Sequence, residues 1–278
     1  MKRFLALSFA LAFVSPALAQ DADKLLMSAS DALSAGKKEE ALELASKAVA
    51  ADAKSVPALI FRANLYEHLD RYLDSVLDHT RIVELEPTRA IAYQARGLVQ
   101  FKAGKVKESI ADFDKYIELQ PKAKISHWQR GISYYYAGQY DDGTKQFEGY
   151  QDFDSNDVEN AVWRFMCMTR SVGIEKARKA ILKIGDDRRV PMRQVYDLYK
   201  GDLKPDDVFT ATKAGNPTPA QLSQRLFYAH LYVGIYHDLL GDKQKAFDHL
   251  QKATEDHRIG HYMWDVARVH RDIMKKAK

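Results

Sequence analysis

One cysteine, Cys167, stands in a chain of 278 residues, so no disulfide can form within it and the fold must rest on apolar packing. Proline and glycine are also sparse, at 8 and 14 residues, which argues for helices and against a turn-rich β fold. Beyond Val14 no stretch stays apolar over the roughly 20 residues that a membrane-spanning helix needs. Nor is there an excess of one charge: 42 Lys and Arg face 38 Asp and Glu. That balance gives no footprint for nucleic acid or for an anionic membrane surface. Signatures of catalysis are missing as well. No glycine-rich phosphate loop follows a strand, and no H-E-x-x-H pair of zinc ligands occurs.

What is present begins with a bipartite N-terminus. Lys2 and Arg3 precede a largely apolar run from Phe4 to Val14, Ser15-Pro16 breaks it, and Ala17-Leu18-Ala19 offers small residues where a signal peptidase reads. The order is that of a secretory signal peptide over 1–19, with cleavage after Ala19 and an exported, periplasmic or secreted product. Cleavage would take Lys and Arg from 42 to 40 and remove no acid. The whole chain is 46% hydrophobic and 29% charged, a composition that folds around a core.

A period of 34 residues then organises the chain, with units starting at Val56, Ala90 and Lys124. Ala63, Gly97 and Gly131 share a position where a small side chain lets two helices approach. Asp70, Gly104 and Gly138 share the turn between helices. Ser75, Ser109 and Gly143 form a second small position, and His79, Phe113 and Phe147 the large position after it. Pro87 and Pro121 close their units, because proline cannot continue a helix. One period earlier, Ala29, Gly36, Ala41, Ala45 and Ala48 fall on the same lattice.

These runs, AYQARGLVQFKAGKVKESIADFDKYIELQP above all, resemble the tetratricopeptide repeat (TPR) family. The resemblance implies an all-α solenoid of helix-turn-helix units wound as a right-handed superhelix with a concave face. Four units are expected over 20–157, then a degenerate helix pair over 158–185 (helices Glu159–Arg170 and Ile174–Ile184). An irregular helical connector follows over 186–219, with helices at Met192–Lys200 and Pro205–Lys213. A last unit and a C-terminal capping helix fill 220–278. By the same resemblance the first helix of each unit lines a protein-binding groove. Its candidate residues are Asn64, Gln94, Leu98, Phe101, Trp128, Ile132, Tyr135 and Tyr136. A clamp for terminal carboxylates of the kind found in some TPR domains is not expected, since only Asn64 matches it while Leu26, Ser30, Ile91 and Ala95 do not.

The order of units, together with FYAHLYVGIYHDLLGDKQKAFDHLQKA and VYDLYKGDLKPDDVF, also resembles the NlpI-type cell-envelope TPR proteins. That resemblance implies homodimers and an adaptor that brings peptidoglycan hydrolases and a periplasmic protease together. Gln20 stands where such lipoproteins carry their acylated cysteine, so no lipid tether is encoded.

The remaining candidates for chemistry read as structural. Cys167 lies among Phe165, Met166 and Met168 and is expected as a small buried apolar residue. His257 and His261 are four apart, but Gly260 interrupts their helix, and His230 and His237 are seven apart on one helix. Both pairs are expected to be packing or surface histidines. Asp141-Asp142, Asp186-Asp187 and Asp206-Asp207 are expected to complement helix N-termini. The chain is therefore expected to be a non-enzymatic adaptor that binds proteins or peptides, with no cofactor or metal. The alternative is a stoichiometric structural subunit of an envelope assembly.

Overall fold

The computed structural model describes residues 16–276, so the signal segment expected over 1–19 lies almost wholly outside the described residues. Those residues form fifteen α-helices and, among them, no strand. The first ten are α1 (Pro16–Ser34), α2 (Lys38–Ala51), α3 (Val56–His68), α4 (Tyr72–Leu85), α5 (Ala90–Lys102), α6 (Val106–Leu119), α7 (Trp128–Tyr136), α8 (Tyr140–Tyr150), α9 (Val158–Val172) and α10 (Ile174–Lys179). Then come α11 (Met192–Lys200), α12 (Pro205–Thr212), α13 (Pro219–Leu239), α14 (Lys243–Glu255) and α15 (Tyr262–Lys276). Neighbours in sequence pack as pairs: α1 with α2, α3 with α4, α7 with α8, α13 with α14. No described helix is long and apolar enough to cross a membrane.

Local chemistry explains the pairing. The turn between paired helices needs one residue in the left-handed region, and the lattice supplies it: φ is 77° at Gly36, 76° at Gly104, 75° at Gly138 and 85° at Gly241. Asp70 adopts φ 55° at the same position, which a short polar side chain tolerates better than most. The small positions do what their size suggests. A Cβ on Gly131 would sit 2.6 Å from the Phe147 ring, and one on Gly143 would sit 2.7 Å from Cys167 Sγ. Cys167 is itself fully buried.

A second feature of the lattice is polar. Arg62, Arg96, Arg130 and Arg164 are spaced by the same 34 residues. Arg62 reaches sixteen residues forward to the Asp78 carboxylate (2.6 and 2.8 Å). Arg130 likewise donates to Gln146 Oε1 (2.6 and 3.0 Å) and to Asp114. Arg164 takes the Ala180 carbonyl at 2.6 Å and turns its other edge to Glu148. Arg62, Arg130 and Arg164 each tie the two helices of their own unit, and the Asp78 partner is buried, so removing Arg62 would strand a charge.

Helix contacts divide the chain into two units, the first ending at Val99 and the second starting at Gln100, within α5. The first unit has two small cores, one around Leu59, Ile82 and Ala92 and one around Ala29, Ala41 and Leu65. The second has a single large core that runs from Phe101 to Met274 and is rich in aromatics, including Phe147, Trp163, Tyr199 and Phe227.

Two expectations need correction here. The helix expected over Ile174–Ile184 stops at Lys179. The carbonyls beyond it are taken by side chains from elsewhere: Ala180 by Arg164, Leu182 by the Tyr196 hydroxyl (3.1 Å) and Lys183 by Gln151 (2.9 Å). Leaving the helix therefore strands none of these acceptors. Second, Asp141-Asp142 and Asp206-Asp207 do sit in first helical turns, but Asp186-Asp187 opens no helix of its own. Instead Asp187 accepts the Val158 N–H at 3.2 Å and so caps α9 from 29 residues away.

Candidate functional site

The expected groove residues fall into two groups. In the first unit, Asn64 is exposed on α3, and Gln94 and Leu98 are half-buried on α5. In the second unit, Phe101, Ile132 and Tyr135 are 0%, 0% and 6% exposed, so these three are core and not open groove surface. Trp128 and Tyr136 are half-buried.

For Phe101, Trp128 and Tyr136 the cause is the last helix, while Tyr135 packs on Tyr140 and Trp163. Residues 261–276 pack on α14 and also cover the inner side of α7 and the end of α5. His261 stacks on Trp128 with centroids 6.3 Å apart, and Tyr262 sets its ring 5.4 Å from Phe101 and 5.6 Å from Trp128. Arg268 donates to the Lys102 carbonyl at 2.7 Å. Deeper in, the Tyr136 hydroxyl meets His270 Nδ1 at 3.0 Å, and His270 Nε2 lies 3.5 Å from Asp238. Asp238 also holds Lys243 at 2.5 Å and Arg170. Burial alone would raise the Asp238 carboxyl, but the His270 and Lys243 hydrogen bonds and the Arg170 charge hold it well below its usual range. Burial pushes both the Tyr135 and Tyr136 hydroxyls far up, so neither offers an ionised oxygen near neutrality. The Tyr–His–Asp order has the connectivity of a proton relay, yet what it does here is clamp α7, α13 and α15 together.

Among the described residues, each unit keeps a concave surface that bears on binding. The first unit holds a groove of about 490 Å³ bordered by Leu26, Val56, Ile60, Phe61, Asn64 and Arg89. The second holds a cavity of about 530 Å³ among α7, α8, α9 and residues 186–189, with aromatic walls from Trp128, Tyr150 and Trp163. Arg189 sits in its wall with its guanidinium forked among three carboxylates: Asp157 and Asp187 at 2.6 Å and Glu159 at 2.7 Å.

No protein-family model matches the sequence, and no curated protein does. Solved structures do match the fold. A tetratricopeptide repeat protein from Parabacteroides merdae is 12% identical, with 92% of this chain and 99% of that chain covered at a TM-score of 0.57. The MamA protein is 17% identical, with 58% of this chain and 87% of that chain covered at a TM-score of 0.52. A MamA double mutant matches at 16% identity and a TM-score of 0.51, over 60% of this chain and 92% of that one. The chain has the TPR fold.

Within this TPR array the histidines group in a way their spacing did not suggest. His230 faces His249, with the two Nδ1 atoms 2.9 Å apart. His257 stacks on His230 and His237 on His249, each pair with centroids 5.6 Å apart, and Phe209 covers His249. Burial, then the neighbouring histidines, lowers His230 to about 3, and the same causes lower His249 to about 4. Four histidines from α13, α14 and the turn after it, with Phe209 of α12 against them, thus make one stack. His261, four residues from His257, packs on Trp128 and takes no part in the stack. Among the described residues no three His, Cys, Asp or Glu side chains converge as a metal site requires.

Proposed function

We propose that this TPR protein is an exported adaptor that binds a partner protein through the open groove of its first unit. The observation that carries the reading is the contrast between equivalent faces. In the second unit, Phe101, Trp128 and Tyr136 are covered by α15, whereas Ile60, Phe61 and Asn64 border an uncovered groove. An apolar floor rimmed by an amide and by Arg89 suits a peptide or helix that brings apolar anchors and backbone hydrogen bonds. Export rests on the signal-like order of Lys2-Arg3, the apolar run and Ala17-Leu18-Ala19. The resemblance to the NlpI-type layout supports a role in the cell envelope, where the adaptor would present peptidoglycan-modifying enzymes or a protease substrate.

The test is site-specific photo-crosslinking in the native compartment. A benzophenone amino acid at position 64 should yield a discrete adduct with another protein. The same probe at Leu77, which is 64% exposed on α4, should yield none. Equal adducts from both positions, or none from 64, would count against the groove. Protein recovered with Met1 intact would count against export.

A further inference from the structure

The cavity of the second unit carries two polar atoms that the fold leaves unused. Asn160 and Trp163 lie three residues apart on α9, each only 2% exposed, and both are in the cavity wall. The orientation of the Asn160 amide follows from its neighbour. Gln151 donates through Nε2 to the Lys183 carbonyl, so its Oε1 must accept, and Asn160 Nδ2 donates to it at 3.3 Å. Asn160 Oδ1 then remains as an acceptor with no partner, and Trp163 Nε1 as a donor with no partner. A buried acceptor and a buried donor that both lack partners are costly, and an amide group carries the complement of each, an N–H for the oxygen and a C=O for the indole.

The charge around this pair is negative on balance. Five carboxylates between Asp154 and Asp187 line the cavity against two guanidinium groups, Arg188 and Arg189. Arg189 is shared among three of the carboxylates, and Arg188 pairs with Asp186 at the exposed rim (3.0 Å). Asp154 accepts the Asn156 N–H and has no cationic partner among the described residues. His261 adds no compensating charge, because burial and then Arg189 lower its pKa. Burial likewise raises Asp157 and Glu159 in spite of Arg189, and an incoming cation would favour their charged forms. Trp128 and Tyr150 add aromatic surface to the same cavity.

We propose that this cavity binds a peptide segment carrying lysine or arginine, its backbone amide bridging Asn160 Oδ1 and Trp163 Nε1 and its cationic side chain directed to Asp154 and the neighbouring carboxylates. The proposal deepens the adaptor reading, since it rests on the protein taking peptide segments of partners, and it places a second contact point outside the first unit's groove. A cavity of this volume admits a few residues, not a folded domain.

The test is calorimetric titration of the full mature chain at low salt with three probes: acetyl-Gly-Lys-Gly-amide, the same peptide with norleucine for lysine, and n-butylammonium. The lysine peptide should bind at least about tenfold more tightly than either of the others, because each of those lacks one half of the match. Asp154→Asn should weaken the lysine peptide by about tenfold and leave the norleucine peptide unchanged. Asp186→Asn, at a side chain that is 77% exposed and so safe for folding, should weaken it less. Equal binding of the lysine and norleucine peptides, butylammonium as tight as the peptide, or no binding of the lysine peptide to the folded chain would each overturn the proposal. The adduct at position 64 reports the adaptor reading independently. Its persistence alongside failed titrations would remove this site alone, and its loss would remove the reading beneath it.

Discussion

The two units place the same lattice positions in opposite environments. On α3 of the first unit, the inner face borders an open groove at Ile60, Phe61 and Asn64. On α7 of the second, Ile132 is fully buried, and Trp128 and Tyr136 lie under α15. The repeat defines which side of a helix faces inward. Whether that side is surface or core is decided by what the chain does 130 residues later. Aromatic content follows the same division: the second unit concentrates its rings where two layers must meet, and the first keeps small residues such as Ala29, Ala41 and Ala45 in its core.

The sharpest way to break this contrast is truncation at a covered position. Phe101→Ala should destabilise the chain by about 3–5 kcal/mol, the range for a fully buried aromatic, as read by denaturant melting. A groove residue that merely contacts a partner would not do this, so an unchanged midpoint would return Phe101 to the surface. Trp128→Ala should follow in the same direction with a smaller loss, since it is half-buried.

Acid should act on the second unit first. The histidines lowered by burial, His127, His230, His237, His249, His257 and His261, all lie there. They are neutral when folded, while the unfolded chain takes up protons below about pH 6.5. Stability is therefore fully present above that pH and falls with pH through about 4 for His249 and His127 and about 3 for His230. Hydrogen exchange at pH 4.5 should open α13 and α14 before α3 and α4. His249→Phe should flatten the slope, and an unaltered slope would show that the stack does not couple to folding.

The next effect tests the lattice itself. Gly131→Ala puts a Cβ 2.6 Å from the Phe147 ring and should cost about 1–3 kcal/mol through overpacking. The smallest effect is expected in the open unit. Asn64→Ala should change stability by no more than about 0.5 kcal/mol, as exposed sites do, while it lowers partner affinity by about 1–3 kcal/mol if Asn64 anchors the contact.

Much of the fold was legible because its punctuation is local. Gly36, Gly104, Gly138 and Gly241 mark turns that need positive φ, and Pro205 and Pro219 start helices where a missing N–H costs nothing. The arginine series from Arg62 to Arg164 is equally periodic, though its spacing alone does not name the partners sixteen residues on. The site was less legible, for a physical reason. Periodicity assigns a residue to a face and cannot say what will cover that face. The covering was hinted at in α15 itself, where Met263, Val266, Ala267, His270 and Met274 form one stripe while Tyr262 extends it onto a second side. A helix that only closes an array needs one apolar face. The histidine stack was beyond reach for a related reason, since it joins α12, α13 and α14 through contacts that no single spacing encodes.

The central claim is that α15 occupies the inner face of the second unit while the first unit's groove stays open. A benzophenone amino acid in place of Tyr262, irradiated in the full chain and mapped by mass spectrometry, tests it most directly. The account predicts intramolecular adducts on the peptides that contain Phe101 and Trp128. Adducts confined to α14, or formed only with another protein, would contradict it and would return Phe101, Trp128 and Tyr136 to the binding surface.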